Sequence, residues 1–269
     1  RCRYCRKDRK GTEEMKLLAS DYDGTLKYLD HVTQQDLDSI HRWKDAGNLF
    51  VMDTGRSMES ILEEVGKYNI PADYYITNNG GMLFDRDGNE LFSSYLDPLM
   101  SHDIMYLAKS IPGVVSYVVN DGFHRHRIIV NDQLEEKRYP GLMPDISEQQ
   151  LLDMGKYAQI VISYETQEEA SAIARKLNDR FSSQISAYAN KYVVDVVPKG
   201  ISKAHGLHFL KDYLHIKETD IYAIGDAEND IPLMEFADQG CCMTSGKKEL
   251  HAHAKYVCDN ISDYIELII

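Results

Sequence analysis

Four aspartates stand in two short motifs, and each motif directly follows an apolar stretch of the chain. Asp21 and Asp23 form the first pair, and Asp226 and Asp230 form the second. Two carboxylates that lie ~4 Å apart repel each other by about 4 kcal/mol at an effective dielectric constant of ~20. A hard divalent cation relieves such repulsion, and Mg²⁺ prefers oxygen ligands while it keeps positions for waters and substrate oxygens. The four aspartates therefore predict a magnesium site.

Other polar residues in comparable positions suit a phosphoryl group. Thr54 and Gly55 follow another apolar stretch, and Lys203 lies in the first turn of a predicted helix. Asn229 lies inside the second acidic motif. A lysine and a hydroxyl beside a metal can hold a phosphoryl group, and glycines such as Gly24 let backbone N–H groups approach it closely. These residues are therefore candidates for binding phosphoryl oxygens.

An alternation of apolar strands and amphipathic helices positions these residues. The segment 34–45, for example, carries Leu37, Ile40 and Trp43 at helical spacing. The order strand, helix, strand, helix, strand implies a parallel sheet with right-handed crossovers. In open sheets of this kind, ligands bind beyond the carboxyl ends of the strands. We therefore expect an α/β, Rossmann-like core that brings the motifs together at one edge.

The middle of the chain departs from this alternation. Predicted strands adjoin one another there, as at 114–120 and 123–131 around the Asp121-Gly122 turn. Adjoining strands are typical of an α+β module with an antiparallel sheet. The simplest architecture is a parallel-sheet core, formed by 15–84 and 190–269, that is interrupted by an inserted cap domain over 85–189.

Residues 1–14 differ in composition from the rest, because arginine and lysine dominate them. Cys2 and Cys5 form a CxxC pair, but a zinc module needs a second ligand pair nearby, and none follows. We therefore expect an unstructured basic tail rather than a metal or redox site. Met15 fits a natural start that opens directly into the first strand.

Composition narrows the classes of protein further. The 269 residues are 43% hydrophobic and 27% charged, which is ordinary for a globular chain. A net charge of -13 argues against nucleic acid as a partner, since phosphate backbones need clustered cations, but it permits a small anionic substrate. No apolar run approaches the ~18 residues of a membrane span. Five cysteines are too few for a disulfide framework, so a reducing, cytoplasmic location is expected.

The motifs resemble those of the haloacid dehalogenase-like hydrolases, and in particular those of their Cof-type phosphatase branch. The matching stretches are Asp21-Tyr22-Asp23-Gly24-Thr25-Leu26, Thr54-Gly55-Arg56, Asn79-Gly80, Pro198-Lys199-Gly200-Ile201-Ser202-Lys203 and Gly225-Asp226-Ala227-Glu228-Asn229-Asp230. The resemblance covers the chain from Met15 to its end. Members of this branch carry a large α/β cap between the second and third motifs, and the long interval from Thr54 to Lys203 has room for one.

The resemblance also implies a role for each site residue. Asp21 would be the nucleophile that forms an aspartyl-phosphate intermediate, and Asp23 would protonate the leaving group and then deprotonate water. The phosphoryl oxygens would be held by Thr54, Gly55, Lys203 and Asn229. The Mg²⁺ ion would be bound by Asp21, the backbone carbonyl of Asp23 and Asp226, with support from Asp230.

These expectations lead to a magnesium-dependent phosphatase that hydrolyses a small phosphomonoester, such as a sugar phosphate or a similar metabolite. Two alternatives stay open. A phosphomutase of the same superfamily would retain the intermediate and return the phosphoryl group to a reoriented product. A catalytically idle metabolite-binding protein would keep the fold, although the intact pair Asp21 and Asp23 counts against it.

Some positions have a second interpretation. Thr54 could simply cap the helix that follows it. Lys199 competes with Lys203 for the phosphoryl group, but it lies in irregular backbone between a proline and a glycine, so Lys203 is preferred. Asp53 is expected to enter turn hydrogen bonds rather than to face the metal. The residues at 124–127 could contact substrate from the cap, and a solvated strand is the simpler interpretation.

Overall fold

Two β-sheets organise residues 15–269, which are the part of the chain described by this computed structural model. The strands are β1 (Leu17–Ser20), β2 (Leu49–Asp53), β3 (Tyr74–Thr77), β4 (Met82–Asp85), β5 (Glu90–Ser93), β6 (Val114–Asn120), β7 (Arg125–Ile129), β8 (Gln159–Tyr164), β9 (Ile185–Asn190), β10 (Val193–Pro198), β11 (Ile221–Gly225), β12 (Gln239–Met243) and β13 (Tyr256–Cys258). The helices are α1 (Gln34–Asp45), α2 (Met58–Tyr68), α3 (Pro98–Ser110), α4 (Glu148–Asp153), α5 (Gln167–Arg180), α6 (Lys203–Leu214), α7 (Ile231–Phe236), α8 (Lys248–His251) and α9 (Ile261–Ile268). The segment 1–14, which was expected to be an unstructured basic tail and contains the CxxC pair, lies outside the described residues.

The larger sheet has the strand order β13-β12-β11-β1-β2-β3-β4-β5. The six strands from β13 to β3 are parallel, and the β4–β5 hairpin adds two antiparallel strands at one edge. Parallel strands need crossover connections, and helices supply most of them. The prediction of a mainly parallel α/β core is confirmed.

Helices cover both faces of the larger sheet because successive side chains of a strand point to opposite faces. Leu18 of β1 packs in a buried cluster with Trp43 of α1 and with residues of α2 and α9. Leu17 packs in a second cluster with Leu207 of α6 and with residues of α7 and α8. The strands of this sheet are therefore buried on both sides, and their carboxyl ends form the accessible edge that can carry a site.

The smaller sheet is antiparallel, with the strand order β7-β6-β8-β10-β9. Helices α3, α4 and α5 pack on one face, where Val194 and Val196 of β10 join the apolar core. The intervening residue Val193 lies in a small cluster on the other face, beside Tyr139 and Leu142 of the loop between β7 and α4. The same alternation places Asp195 of β10 on that second face, towards the larger sheet.

Strand pairing shifts the limits expected for the inserted domain. The hairpin β4–β5 belongs to the larger sheet, although the insertion was expected to begin at 85. Strand β10 pairs with β8 and β9 in the smaller sheet, although residues from 190 onwards were expected to belong to the core. The pairing of β10 with β8, which precedes it across helix α5, gives no local signal in the sequence of β10. We therefore propose that the insertion extends from about 94 to about 198.

Two further sequence predictions concern features away from the site. Among residues 15–269, no helix combines the length and the apolar composition that a membrane span requires. Within the same residues, Cys241, Cys242 and Cys258 are buried and form no disulfide.

Candidate active site

The two acidic motifs meet because β1 and β11 are neighbours in the larger sheet. Their parallel register pairs Ser20 with Ile224, and the backbone N–H of Asp21 donates to the carbonyl of Ile224 at 3.0 Å. The chain leaves both strands at the same edge, so Asp21 and Asp226 lie side by side. Carboxylate oxygens of Asp21, Asp226 and Asp230 fall within 4.8 Å of one another.

Burial and mutual repulsion make this cluster electrostatically unusual. Burial raises the pKa of Asp21 well above its ordinary value, Lys203 lowers it, and the charges of Asp230 and Asp226 raise it again. Burial, followed by the charge of Asp230, raises the pKa of Asp226 to about 6. Burial and mutual repulsion both disfavour the ionised carboxylates. A bound cation offsets both effects, so the cluster favours binding one.

Lys203 is the cation that the chain itself supplies. Its Nζ lies 2.5 Å from Oδ1 of Asp21 and 2.5 Å from Oδ1 of Asp230, and the side chain has no exposed surface. Burial alone would lower the pKa of Lys203, but the two aspartates raise it above its ordinary value, so the amine stays charged. Lys199, in contrast, is exposed.

Two glycines let these residues come so close together. At Gly24, where φ is +102°, a Cβ atom would lie 2.3 Å from Oδ2 of Asp226. At Gly80, where φ is +95°, a Cβ atom would lie 1.8 Å from the carbonyl oxygen of Ser202. Only glycine accepts both the left-handed backbone and the lack of space. Gly80 therefore allows α6 to begin against β3 and β4, which places Lys203 inside the cluster.

Asp230 organises the loop rather than facing the cavity. Its Oδ2 accepts from the backbone N–H groups of Asp226 and Ala227, both at 3.0 Å, while Oδ1 accepts from Lys203. The Asp226 carboxylate makes fewer hydrogen bonds. Apart from contacts inside the cluster, its side chain accepts only from the Thr25 hydroxyl, at 3.2 Å, among the described residues. The geometry therefore separates the two aspartates into one that faces outward and one that holds the loop.

The carboxylate of Asp23 points away from the cluster. Arg56 donates from Nε at 2.7 Å and from Nη2 at 2.8 Å, and Nη2 of Arg138 lies 3.5 Å away. Burial alone would raise the pKa of Asp23, but the two guanidinium groups hold it below its ordinary value. Sequence reasoning missed Arg138, because it lies in the polar loop between β7 and α4, where no motif marks it.

Thr54, Asn79 and Asn229 line the remaining part of the site. The Thr54 hydroxyl accepts from the backbone N–H of Arg56 at 3.2 Å, which leaves its own proton free to donate. Helix α2 is capped by Ser57, so the interpretation of Thr54 as the helix cap is wrong. Nδ2 of Asn229 donates to Oδ1 of Asn79 at 3.1 Å.

A cavity of about 340 Å³ opens between this edge and the second face of the smaller sheet. Its wall is drawn from both parts of the chain and includes Asp21, Thr54 and Asn229 on one side and Arg125, Arg138 and Asp195 on the other. The cavity is lined mainly by polar and charged side chains, which suits a small, hydrophilic ligand.

The run at 124–127 is not simply a solvated strand. Arg125 donates to Ser60 of α2 at 2.8 Å and so ties the insertion to the larger sheet. Arg127 is buried and pairs with Glu136 at 3.4 Å. His126 pairs with Asp145 at 2.8 Å. Of these residues, Arg125 alone lines the cavity.

Asp53 differs from its expectation. Neither of its carboxylate oxygens has a hydrogen-bond partner among residues 15–269, so the predicted turn hydrogen bonds are wrong. Burial raises the pKa of Asp53 well above its ordinary value, which favours the neutral acid at this position.

The donor set of the cluster fits a small divalent cation. Its atoms are hard oxygens, and the Gly24 backbone leaves the space beside Asp226 that a Cβ atom would fill. Both oxygens of Asp230 already accept hydrogen bonds. Asp21 and Asp226 are therefore the side chains that would hold a cation directly.

Known proteins resemble this chain in sequence over most of its length. The sequence model of the haloacid dehalogenase-like hydrolases matches residues 18–264. The 5-amino-6-(5-phospho-D-ribitylamino)uracil phosphatase YitU of Bacillus subtilis is 26% identical over 240 residues, which are 86% of this chain and 87% of that protein. The HMP-PP phosphatase of Citrobacter koseri is 22% identical over 244 residues, which are 90% and 89% of the two chains.

Solved structures share the fold. A phosphatase of the haloalkanoate superfamily from Bacteroides thetaiotaomicron matches with a TM-score of 0.78 at 25% identity, over 97% of each chain. A haloacid dehalogenase-like hydrolase from the same organism matches with a TM-score of 0.79 at 20% identity, over 95% of this chain and 100% of that one. Since the family's sequence model spans nearly all the described residues, the chain belongs to the haloacid dehalogenase-like hydrolases, in their Cof-type phosphatase branch.

Proposed function

We propose that this protein is a Mg²⁺-dependent phosphatase that hydrolyses a small phosphomonoester through an aspartyl-phosphate on Asp21. The observation that carries the proposal is the convergence of Asp21 and Asp226 at one end of a polar cavity of about 340 Å³, with Lys203 buried against Asp21. The phosphatase relatives support the reaction class, and their substrates are small phosphorylated metabolites by name.

Asp21 is the proposed nucleophile because it lies at the cavity wall and is held by Lys203. The Lys203 charge lowers the pKa of Asp21 against the effect of burial, and so favours the ionised carboxylate that attack on phosphorus requires. A bound Mg²⁺ would supply further positive charge, which lowers the repulsion between Asp21 and an anionic phosphoryl group.

Asp23 is the proposed acid and base. Once Asp23 has given its proton to the leaving alkoxide it is ionised, and its two arginine partners favour that state, so it can then accept a proton from the water that attacks the aspartyl-phosphate. Protonation of the leaving alkoxide needs the neutral acid. A dianionic phosphoryl group that enters beside Arg56 and Arg138 competes for both guanidinium groups, which raises the proton affinity of Asp23 at that stage.

The phosphoryl oxygens are assigned to the Thr54 hydroxyl, the Gly55 backbone, the Lys203 ammonium and the Asn229 amide. Each offers a donor, and Thr54, Gly55 and Asn229 line the cavity. Donors that are fixed before the reaction stabilise the charge that develops on a transferring group, because they need no reorganisation.

The inserted domain closes the cavity on the side of the leaving group. Arg125 and Arg138 belong to that wall, so polar substituents of the substrate would meet charged partners there. A sugar phosphate or a comparable polyhydroxylated metabolite matches this chemistry better than an apolar ester does.

A panel of phosphomonoesters tests the proposal. Release of inorganic phosphate is measured with and without Mg²⁺, and chromatography of the products separates hydrolysis from phosphoryl migration. We expect Mg²⁺-dependent phosphate release that is absent from Asp21→Asn. Isomerised phosphoester without net phosphate release would favour the phosphomutase, and binding without turnover would favour the metabolite-binding protein.

A further inference from the structure

Two consecutive asparagines adopt a left-handed backbone directly after β3. Asn78 has φ of 52° and Asn79 has φ of 54°, and both side chains are buried. Asparagine tolerates this conformation better than most residues, yet two in a row are costly unless the surroundings hold them. Both side chains face the insertion. Oδ1 of Asn78 accepts from Asn120 of β6 at 3.1 Å, and Nδ2 of Asn79 donates to Asp195 of β10 at 3.3 Å.

Asp195 determines which way the Asn79 amide points. Asp195 is 4% exposed, and its other oxygen accepts from Nε2 of Gln159 at 3.0 Å. An ionised carboxylate has no proton to donate, so the Asn79 atom that faces it must be the NH₂ group. Burial raises the pKa of Asp195 to about 6, against the charge of Arg138, so the carboxylate is ionised above neutral pH.

The orientation of Asn79 determines that of Asn229 in turn. With Nδ2 directed at Asp195, Oδ1 of Asn79 faces Asn229 and accepts one of its two N–H bonds at 3.1 Å. Within residues 15–269, Nδ2 of Asn229 makes no other hydrogen bond, and Asn229 lines the cavity, so its second N–H can donate to a phosphoryl oxygen there. A Cβ atom on Gly55 would lie 3.1 Å from Nδ2 and 3.2 Å from Oδ1 of Asn79, so this glycine leaves the space in which the amide packs.

We propose that Asp195 of the insertion is a positioning residue, which acts through Asn79 to orient the Asn229 amide towards the phosphoryl group. The phosphoryl site is then complete only when the insertion is seated on the larger sheet, because one of its donors is aligned by a residue of the smaller sheet. This inference rests on the proposed function, since it uses the assignment of Asn229 to a phosphoryl oxygen.

Binding of inorganic phosphate to the full chain tests this relay without any need for turnover. Calorimetric titration at pH 8 with Mg²⁺ compares the parent with Asp195→Leu, which keeps the side-chain bulk but removes the acceptor. We expect ~10-fold weaker phosphate binding, the scale of one lost orienting hydrogen bond. In an Asn229→Ala background, Asp195→Leu should weaken binding no further. Independent, multiplying losses would overturn the proposal.

The conservative variant Asp195→Asn separates orientation from charge. Oε1 of Gln159 has no hydrogen-bond partner among the described residues, so it can turn to accept from the new amide. The carbonyl of the new asparagine then still accepts from Asn79. We expect phosphate binding within about threefold of the parent, whereas a loss equal to that of Asp195→Leu would contradict the relay.

A second variant covers the case in which Asp195→Leu fails to fold. Asn79→Gly breaks the same link from the larger sheet and suits the left-handed backbone. It should weaken phosphate binding ~10-fold, and the loss should again vanish in the Asn229→Ala background. Turnover of p-nitrophenyl phosphate is recorded in parallel. A parent that binds phosphate but hydrolyses neither this ester nor any member of the phosphomonoester panel would refute the proposed function, while the binding comparison would still decide the relay.

Discussion

Nζ of Lys203 lies 2.5 Å from Oδ1 of Asp21, although 182 positions separate the two residues in the chain. The contact joins the start of α6 to the end of β1, and the insertion lies between them in sequence. It places a buried cation directly on the proposed nucleophile, which is the relationship that a phosphoryl-transfer site needs.

Lys203→Ala should therefore lower kcat/KM. The loss of transition-state stabilisation should be about 2.7–4 kcal/mol, the scale for one preorganised electrostatic donor. Lys199→Ala should cost less than about 1 kcal/mol, as for an exposed charge. Steady-state kinetics on both variants, with circular dichroism to check folding, measure the difference. Equal losses, or a larger loss for Lys199→Ala, would show that the assignment of Lys203 to the phosphoryl group is wrong.

Gly24→Ala should abolish activity. The added Cβ atom would lie 2.3 Å from Oδ2 of Asp226, which is too close, so the carboxylate would have to move. Gly88→Ala is the matched control, since Gly88 also has a positive φ of 83° but no heavy atom lies within 4 Å of the added Cβ. Both variants should lose roughly 1–2 kcal/mol of unfolding free energy from the left-handed backbone. Kinetics and urea unfolding together separate the two effects, and a fully active Gly24→Ala would count against Asp226 as a cation ligand.

Removal of Mg²⁺ by chelation should abolish phosphate release, and Ca²⁺ should fail to restore it. Ca²⁺ takes more oxygen ligands at longer distances than Mg²⁺, so the Asp21 carboxylate would no longer be aligned with the phosphorus atom for in-line attack. The measurement is phosphate release after chelation and after addition of each cation. Undiminished turnover in a metal-free preparation would contradict the assignment.

Lys191→Gly should stabilise the protein. Lys191 has φ of 52° in the β9–β10 hairpin, and a lysine pays about 1–2 kcal/mol for that conformation. Glycine avoids this cost but loses more entropy on folding, which leaves a gain of about 0.5–1 kcal/mol. Urea unfolding measures it, with Lys199→Gly as the control, because Lys199 lacks a positive φ. A lower stability for Lys191→Gly than for the parent would be inconsistent with backbone strain.

The sequence predicted the parts of the site that follow from local patterns. Asp21 and Asp226 stand at the ends of neighbouring parallel strands, and alternation of strands and helices is enough to expect them at one edge. Lys203 is preferred over Lys199 because it stands at a helix start and in the matching motif, whereas Lys199 lies in irregular backbone, and the structure buries Lys203 against Asp21. The aspartate roles themselves remain proposals.

The contributions of the insertion could not be predicted in the same way. Arg138 reaches Asp23 from a loop whose path depends on tertiary contacts. Asp195 stands in a strand whose pairing with β8, across helix α5, is known only from the folded sheet. Asn79 was noted as part of a motif, but its link to both Asp195 and Asn229 depends on the left-handed backbone after β3.

Trapping of a phosphorylated enzyme tests the central claim most directly. Asp23→Asn is mixed with p-nitrophenyl [³²P]phosphate and Mg²⁺ and is quenched in acid within milliseconds. Nitrophenolate leaves without protonation, so the aspartyl-phosphate should form, and it should persist because no carboxylate activates water. We predict near-stoichiometric label that hydroxylamine releases. The label should be absent from the double variant that carries both Asp21→Asn and Asp23→Asn. Label that persists without Asp21, or turnover with no labelled protein, would contradict Asp21 as the nucleophile.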